Sequence, residues 1–190
     1  MAIDIFNPLV DLQQNKMKSA SWYRNAVSLI AGRASASELM AAGKLLGRPS
    51  GGRMSMFFYD PKHKARLPYW DIFPLVLPLE PMKGGFIGLN FHYLPYGARF
   101  SFLQQLQQFA SNAKFDQSTR IQATYQSVKS NKYVKASIHR YLWSHVRSSF
   151  LRVNVDEMAL AAYLPVAQFQ QASLGKVFAA SRRTLPNEAC

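Results

Sequence analysis

Carboxylates are scarce in this 190-residue chain: 10 Asp and Glu stand against 23 Lys and Arg, a formal charge of +13 with a sequence pI near 10.1. Cysteine is scarcer still. The single Cys190 excludes an internal disulfide framework and any cysteine-rich zinc site. Apolar runs fall well short of the roughly 20 residues a membrane span needs, so no membrane partner is expected. The opening stretch Met1 to Pro8 has no basic segment leading into an apolar one, so no signal peptide is expected.

Catalytic patterns are missing as well. His63, His92, His139 and His145 are scattered, and no pair of them has the spacing of a zinc-binding helix. There is no phosphate-binding or dinucleotide-binding glycine loop and no G-x-S-x-G elbow. Asp71, Glu80 and Lys83 fit poorly to the paired acids and lysine of restriction-type nucleases, because prolines interrupt the strand that would present them. A non-enzymatic protein is expected, with no catalytic residue, no metal site and no cofactor.

What the chain does have is core material, with 48% hydrophobic and 13% aromatic residues. That is enough for one domain, or one domain plus an arm. Residues 1–52 read as a helical N-terminal arm. Trp22, Ala26, Leu29 and Ile30 share a helix face, with Ser19 or Ser21 as its cap. Ser35 and Glu38 match a capping box opening a second helix over 37–46. Gly47-Arg48-Pro49-Ser50-Gly51-Gly52 reads as a linker over 47–52, placing a boundary before an α+β core at 53–190 with a short C-terminal tail.

In that core, strands are expected over 53–59, 86–93 and 150–155. The run from Phe73 to Leu79, studded with Pro74 and Pro78, suits an edge strand or extended segment. The expected class is α+β, a small antiparallel sheet of three to four strands covered by C-terminal helices. Those helices are read from Phe100, Leu103, Leu106 and Phe109, from Ile121, Tyr125 and Val128 over 118–130, and from Val134, Ile138, Tyr141 and Leu142 over 133–146. Asp156 is the expected cap of a helix over 158–163, and a last helix follows over 176–183.

Charge is unevenly spread. No acid occurs between Asp116 and Asp156, while Arg120, Lys129, Lys132, Lys135, Arg140, Arg147 and Arg152 fall in that gap. If 133–146 is helical, Lys132, Lys135, His139, Trp143 and Arg147 form one stripe, cations with an aromatic among them, suited to a phosphate backbone. The competing reading is a solvated face with Trp143 turned into a neighbouring element. Lys62, Lys64 and Arg66 form a second cluster in a loop. The charge alone fits nucleic acid and an acidic protein surface equally.

Three strings carry a family resemblance: Arg53 to Lys64 with its Tyr59-Asp60-Pro61-Lys62-His63-Lys64 end, Leu67 to Pro78 with Phe73-Pro74-Leu75-Val76, and Gly85 to Pro95. Together with Tyr141 to Arg147 and Leu164 to Phe169, they make roughly 53–185 resemble the DNA end protector proteins of T-even-like and marine tailed phages. The resemblance implies a structural virion protein, made in the host cytoplasm. It would bind double-stranded DNA ends in the head–neck or tail region and work among other phage structural proteins in a symmetric multi-subunit assembly. Lys132, Lys135, His139, Arg140, Trp143, Arg147 and Arg152 would meet the DNA or an acidic partner, assisted by Lys62, Lys64 and Arg66. The alternative is a tail or baseplate assembly component. Its hydrophobic arms, Trp22, Tyr23, Leu29 and Ile30 with Phe73, Pro74 and Leu77, would dock on neighbouring subunits.

Overall fold

The computed structural model describes residues 18–30, 32, 34–50, 53–110, 132–154 and 157–183. The helix expected over 118–130, the Asp156 cap, Gly51 and Gly52 of the linker, and Cys190 lie outside the described residues. The α-helices are α1 (Ala20–Ser28), α2 (Ala36–Ala42), α3 (Tyr96–Ala110), α4 (Met158–Tyr163) and α5 (Leu174–Arg183). The strands are β1 (Leu45–Leu46), β2 (Ser55–Met56), β3 (Trp70–Asp71), β4 (Leu75–Met82), β5 (Gly85–Asn90), β6 (Ile138–Leu142), β7 (Phe150–Arg152) and β8 (Phe169–Gln170). The α+β class is as expected.

Local chemistry sets the helix ends. The Ser19 hydroxyl accepts the Trp22 N–H (3.2 Å) and opens α1. In α2, Glu38 N–H donates to Ser35 Oγ (3.2 Å) and Ser35 N–H donates to Glu38 Oε2 (3.0 Å), the capping box read from the sequence. That helix ends before Gly43, short of the expected 46, where a Cβ would run into the Leu151 side chain. The chain then turns extended and Leu45–Leu46 joins the sheet beside β7.

α1 turns a different face inward than the one expected. Tyr23, Ala26 and Val27 are buried, while Leu29 is 75% exposed. Tyr23 wins because its ring stacks on Tyr163 of α4 (5.7 Å between centroids, 14° between planes).

The sheet is larger than expected: six strands in the order β1-β7-β2-β4-β5-β6, each pairing antiparallel, with β3 and β8 forming a separate two-stranded ribbon. β4 resolves the proline problem by position. Only Leu75 and Val76 have β2 as a neighbour; from Pro78 to Met82 the strand has β5 alone, and its register shifts between Pro78 and Glu80. The prolines thus sit where one side of the strand needs no ladder bond.

Alternation along these strands buries both faces. Met56, Leu75, Leu77, Leu89 and Leu151 face one core with α1, α3 and α4, while Phe57, Val76, Phe86, Tyr141 and Phe150 face a second, aromatic one. The sheet curls around this second core. The chain leaving β6 returns beside the continuation of β2, where Tyr59 bridges Val146 and Arg147 N–H donates to Phe58 O (2.8 Å).

The helix expected over 133–146 is not there. The chain forms a 3-10 turn at Lys132–Ser137, then β6, then a 3-10 turn at Trp143–His145. Ile138 to Leu142 alternates as well as it cycles, and β5 offers five residues of ladder from Gly85 to Leu89. A helical stripe of Lys132, Lys135, His139, Trp143 and Arg147 therefore does not form.

Candidate functional site

The turn from Trp143 to Ser149 gathers cations from three parts of the sequence. Its first residue is anchored by the β4–β5 hairpin: Gly84, at a φ of 76° that favours glycine, turns its carbonyl to accept Trp143 N–H (2.9 Å). The Trp143 ring packs on Phe86 (5.0 Å, 32°) and edge-on to Phe150 (6.2 Å, 82°), and the guanidinium carbon of Arg48 lies 5.5 Å from its centroid. Trp143 is half-buried and Arg48 exposed.

The loop after Tyr59 docks against the same turn. Asp60 N–H donates to His145 O (3.0 Å), and His145 Nδ1 lies 2.7 Å from Asp60 O, so His145 is a hydrogen-bonded, half-buried residue. The Asp60 carboxylate meets Lys64 Nζ at 2.8 Å and Arg147 Nη2 at 3.5 Å. The Lys64 hydrogen bond, seconded by the Lys64 and Arg147 charges, outweighs desolvation and holds Asp60 below the usual carboxylate range. Asp60 is the only acid between Glu38 and Asp71 in sequence, whereas Arg48, Lys62, Lys64 and Arg66 all lie in that interval. Lys62, Lys64, Arg66 and Arg147 are exposed. One carboxylate shared by two cations leaves a net positive surface with its geometry partly fixed.

The other candidates are dispersed. Arg140 is exposed on β6, while His139, its neighbour, points through the opposite face, its ring 4.3 Å from that of Tyr93. Burial pushes the His139 pKa down to about 4, against a smaller opposing effect of the Asp71 charge. It is therefore neutral at pH 7 and not a phosphate-binding cation. Arg152 is half-buried on β7, paired with Ser55 in register, and its Nε is buried without a hydrogen-bond partner. Lys132 and Lys135 belong to the 3-10 turn before β6. Of the expected docking residues, Tyr23, Phe73, Pro74 and Leu77 are buried in the chain's own core, Trp22 and Ile30 are half-buried, and only Leu29 is open. Packing claimed them because they lie on inward faces of α1, of β4 and of the two residues leading into it.

Asp71 is no metal-binding acid. It is 4% exposed, and its two oxygens take four hydrogen bonds: Phe73 N–H (3.1 Å) and Gln168 N–H (3.2 Å) on Oδ1, Asn90 Nδ2 (3.2 Å) and His92 Nδ1 (2.7 Å) on Oδ2. All four lone-pair positions are used. Although burial alone would raise its pKa, these partners, His92 foremost, hold it lowered. Among the described residues, no group of three or more His, Cys, Asp and Glu is placed to hold a metal ion. Sequence reading missed Arg48, which looked like part of a linker. It missed the Asp71–His92 pair too, because 21 positions separate its members.

A family model described as Phage T4 terminal DNA protecting protein matches residues 11–185, all but ten residues at one end and five at the other. No curated protein and no solved structure matches.

Proposed function

The chain belongs to the Phage T4 terminal DNA protecting protein family, and from that premise we propose that it is a non-enzymatic virion protein that binds the ends of packaged duplex DNA in the head–neck region. Family membership gives the end-protecting class. The observation that supports the binding site is the cationic surface around Trp143 to Arg147, where Lys64 and Arg147 share the Asp60 carboxylate and Lys62 and Arg66 are exposed in the same loop as Lys64. Arg140, Arg152, Lys132 and Lys135 would extend the contact along the backbone. Each phosphate neutralised releases counterions, so affinity should fall steeply with salt. In the virion the chain would sit among other phage structural proteins, in a symmetric multi-subunit arrangement.

The second reading, a tail or baseplate component, draws on Leu29, which is 75% exposed just past the end of α1, with Trp22 and Ile30 half-buried. There the basic surface would meet an acidic neighbour.

The test compares a short blunt duplex with the same duplex closed by hairpins, over a salt series. Tighter binding to the open form supports end recognition, and equal binding reduces the site to a non-specific cationic face. Replacing Lys62→Glu, Arg66→Glu and Arg147→Gln together should weaken binding to every duplex and flatten the slope of log K against log salt by about 0.9 per lost phosphate contact. Unaltered binding in that variant would refute the site. No binding near physiological salt would favour the tail or baseplate reading.

A further inference from the structure

Phosphate contacts explain affinity for DNA but not a preference for its ends, since every base pair of a duplex carries phosphates. What only an end offers is the open π-face of the last base pair. A protein that tells ends from interior needs a planar group to set against that face. On the cationic surface, among the described residues, Arg48 is a planar group that also rests on an aromatic ring.

Arg48 lies over Trp143, its guanidinium carbon 5.5 Å from the ring centroid. The indole beneath is fixed: Phe86 and Phe150 pack on it and its backbone N–H is held by Gly84 O. Arg48 itself is exposed, and among the described residues no carboxylate pairs with it, in contrast to Lys64 and Arg147, which share Asp60. Its charge is spent on the ring and on solvent. A guanidinium is planar and weakly hydrated, and it stacks on aromatic faces. Carried beside Trp143 and otherwise exposed, it would stack on a base while its N–H groups met a terminal phosphate.

The position is also right. Trp143 opens the turn that also carries Arg147, so the Arg48–Trp143 pair and the Lys64–Asp60–Arg147 cluster sit on one turn. The duplex backbone would lie on the Lys64–Arg147 cluster and its end would meet the Arg–Trp pair.

We infer that Arg48, carried on Trp143, is a base-stacking contact for the exposed terminal base pair of a duplex. The inference rests on the DNA-end reading above and assigns that reading's end preference to one side chain.

The separating experiment uses Arg48→Lys in the full chain, which keeps the charge and removes the plane. Binding is measured to the blunt duplex and to its hairpin-closed form, and again with 2-aminopurine as the terminal base, whose fluorescence is quenched on stacking. Arg48→Lys should reduce the open-to-closed affinity ratio by about tenfold, within what stacking one base on such a platform provides, and should lose the terminal quench. The slope against salt should not change, because the number of cations does not. Trp143→Phe, which preserves an aromatic support inside the cluster, should give a smaller fall in the same ratio. Equal losses on open and closed duplexes would make Arg48 one more phosphate contact and overturn the inference. So would an unaltered ratio with the quench retained. A wild-type chain that binds neither duplex would sink the DNA reading itself, whereas a wild-type end preference that survives Arg48→Lys would sink only the assignment made here.

Discussion

Acid should destabilise this fold well above the carboxylate range, and His139 should be the cause. Its Nε2 is sealed from solvent with no hydrogen-bond partner, its ring lies against Tyr93, and burial depresses its pKa from 6.5 to about 4. A group with a depressed folded pKa contributes stability that is complete above the unfolded value and is lost as pH falls towards the folded one. The window is therefore about pH 6.5 down to about 4. Each pH unit within it costs about 1.4 kcal/mol, so moving from pH 7.5 to pH 5 removes about 2 kcal/mol. The residue is not wholly enclosed, so solvent screening makes this an upper figure. In a domain of this size that corresponds to a fall in Tm of about 4–8 °C. Thermal melts of wild type and His139→Leu at both pH values isolate the contribution, because other titrating groups are common to the two. The variant should lose about 2 kcal/mol less than wild type over the interval. Parallel losses would refute the assignment of a buried, neutral His139.

Two further expectations concern the core. Arg99 is 1% exposed and donates to Leu94 O (2.7 Å), Ala162 O (2.6 Å) and His92 O (3.1 Å), with burial lowering its pKa only to about 10. Arg99→Met leaves three buried carbonyls unpaired at about 1–3 kcal/mol each, part of which is returned by no longer burying a charge. A net loss of about 2–4 kcal/mol in urea unfolding is expected, and a loss below about 1 kcal/mol would show that the carbonyls find other donors. A Cβ on Gly85 would collide with the backbone carbonyl of Tyr141 across the β5–β6 ladder. Gly85→Ala should therefore cost about 1–3 kcal/mol by the same measurement, and a neutral outcome would mean that the two strands can separate locally without penalty.

Much of the local structure was legible because its causes are local. The Ser35–Glu38 box and the Ser19 cap each depend on a few consecutive residues. Ile138 to Leu142 was read as helix because its apolar residues satisfy a period of 3.6 about as well as a period of 2. The element that decided between them, Gly85–Asn90, lies some fifty positions earlier. The face of α1 was ambiguous in the same way: Trp22 and, just past its end, Leu29 are as apolar as Tyr23 and Val27, and the distant Tyr163 ring favoured burying Tyr23.

The candidate site divides along the same line. Composition already favoured a polyanionic or acidic partner, since a charge of +13 on 190 residues follows from the residue list alone and needs no fold. Lys62, Lys64, Arg66, Trp143 and Arg147 were visible as basic or aromatic positions. The meeting of Lys64 and Arg147 on Asp60 was not, because it comes from the curl of the sheet that lays 143–147 beside 57–60. His139 left the cationic set and Arg48 entered it for one reason. Which side of a strand a residue occupies, and which distant ring it meets, are properties of long-range pairing rather than of neighbouring residues.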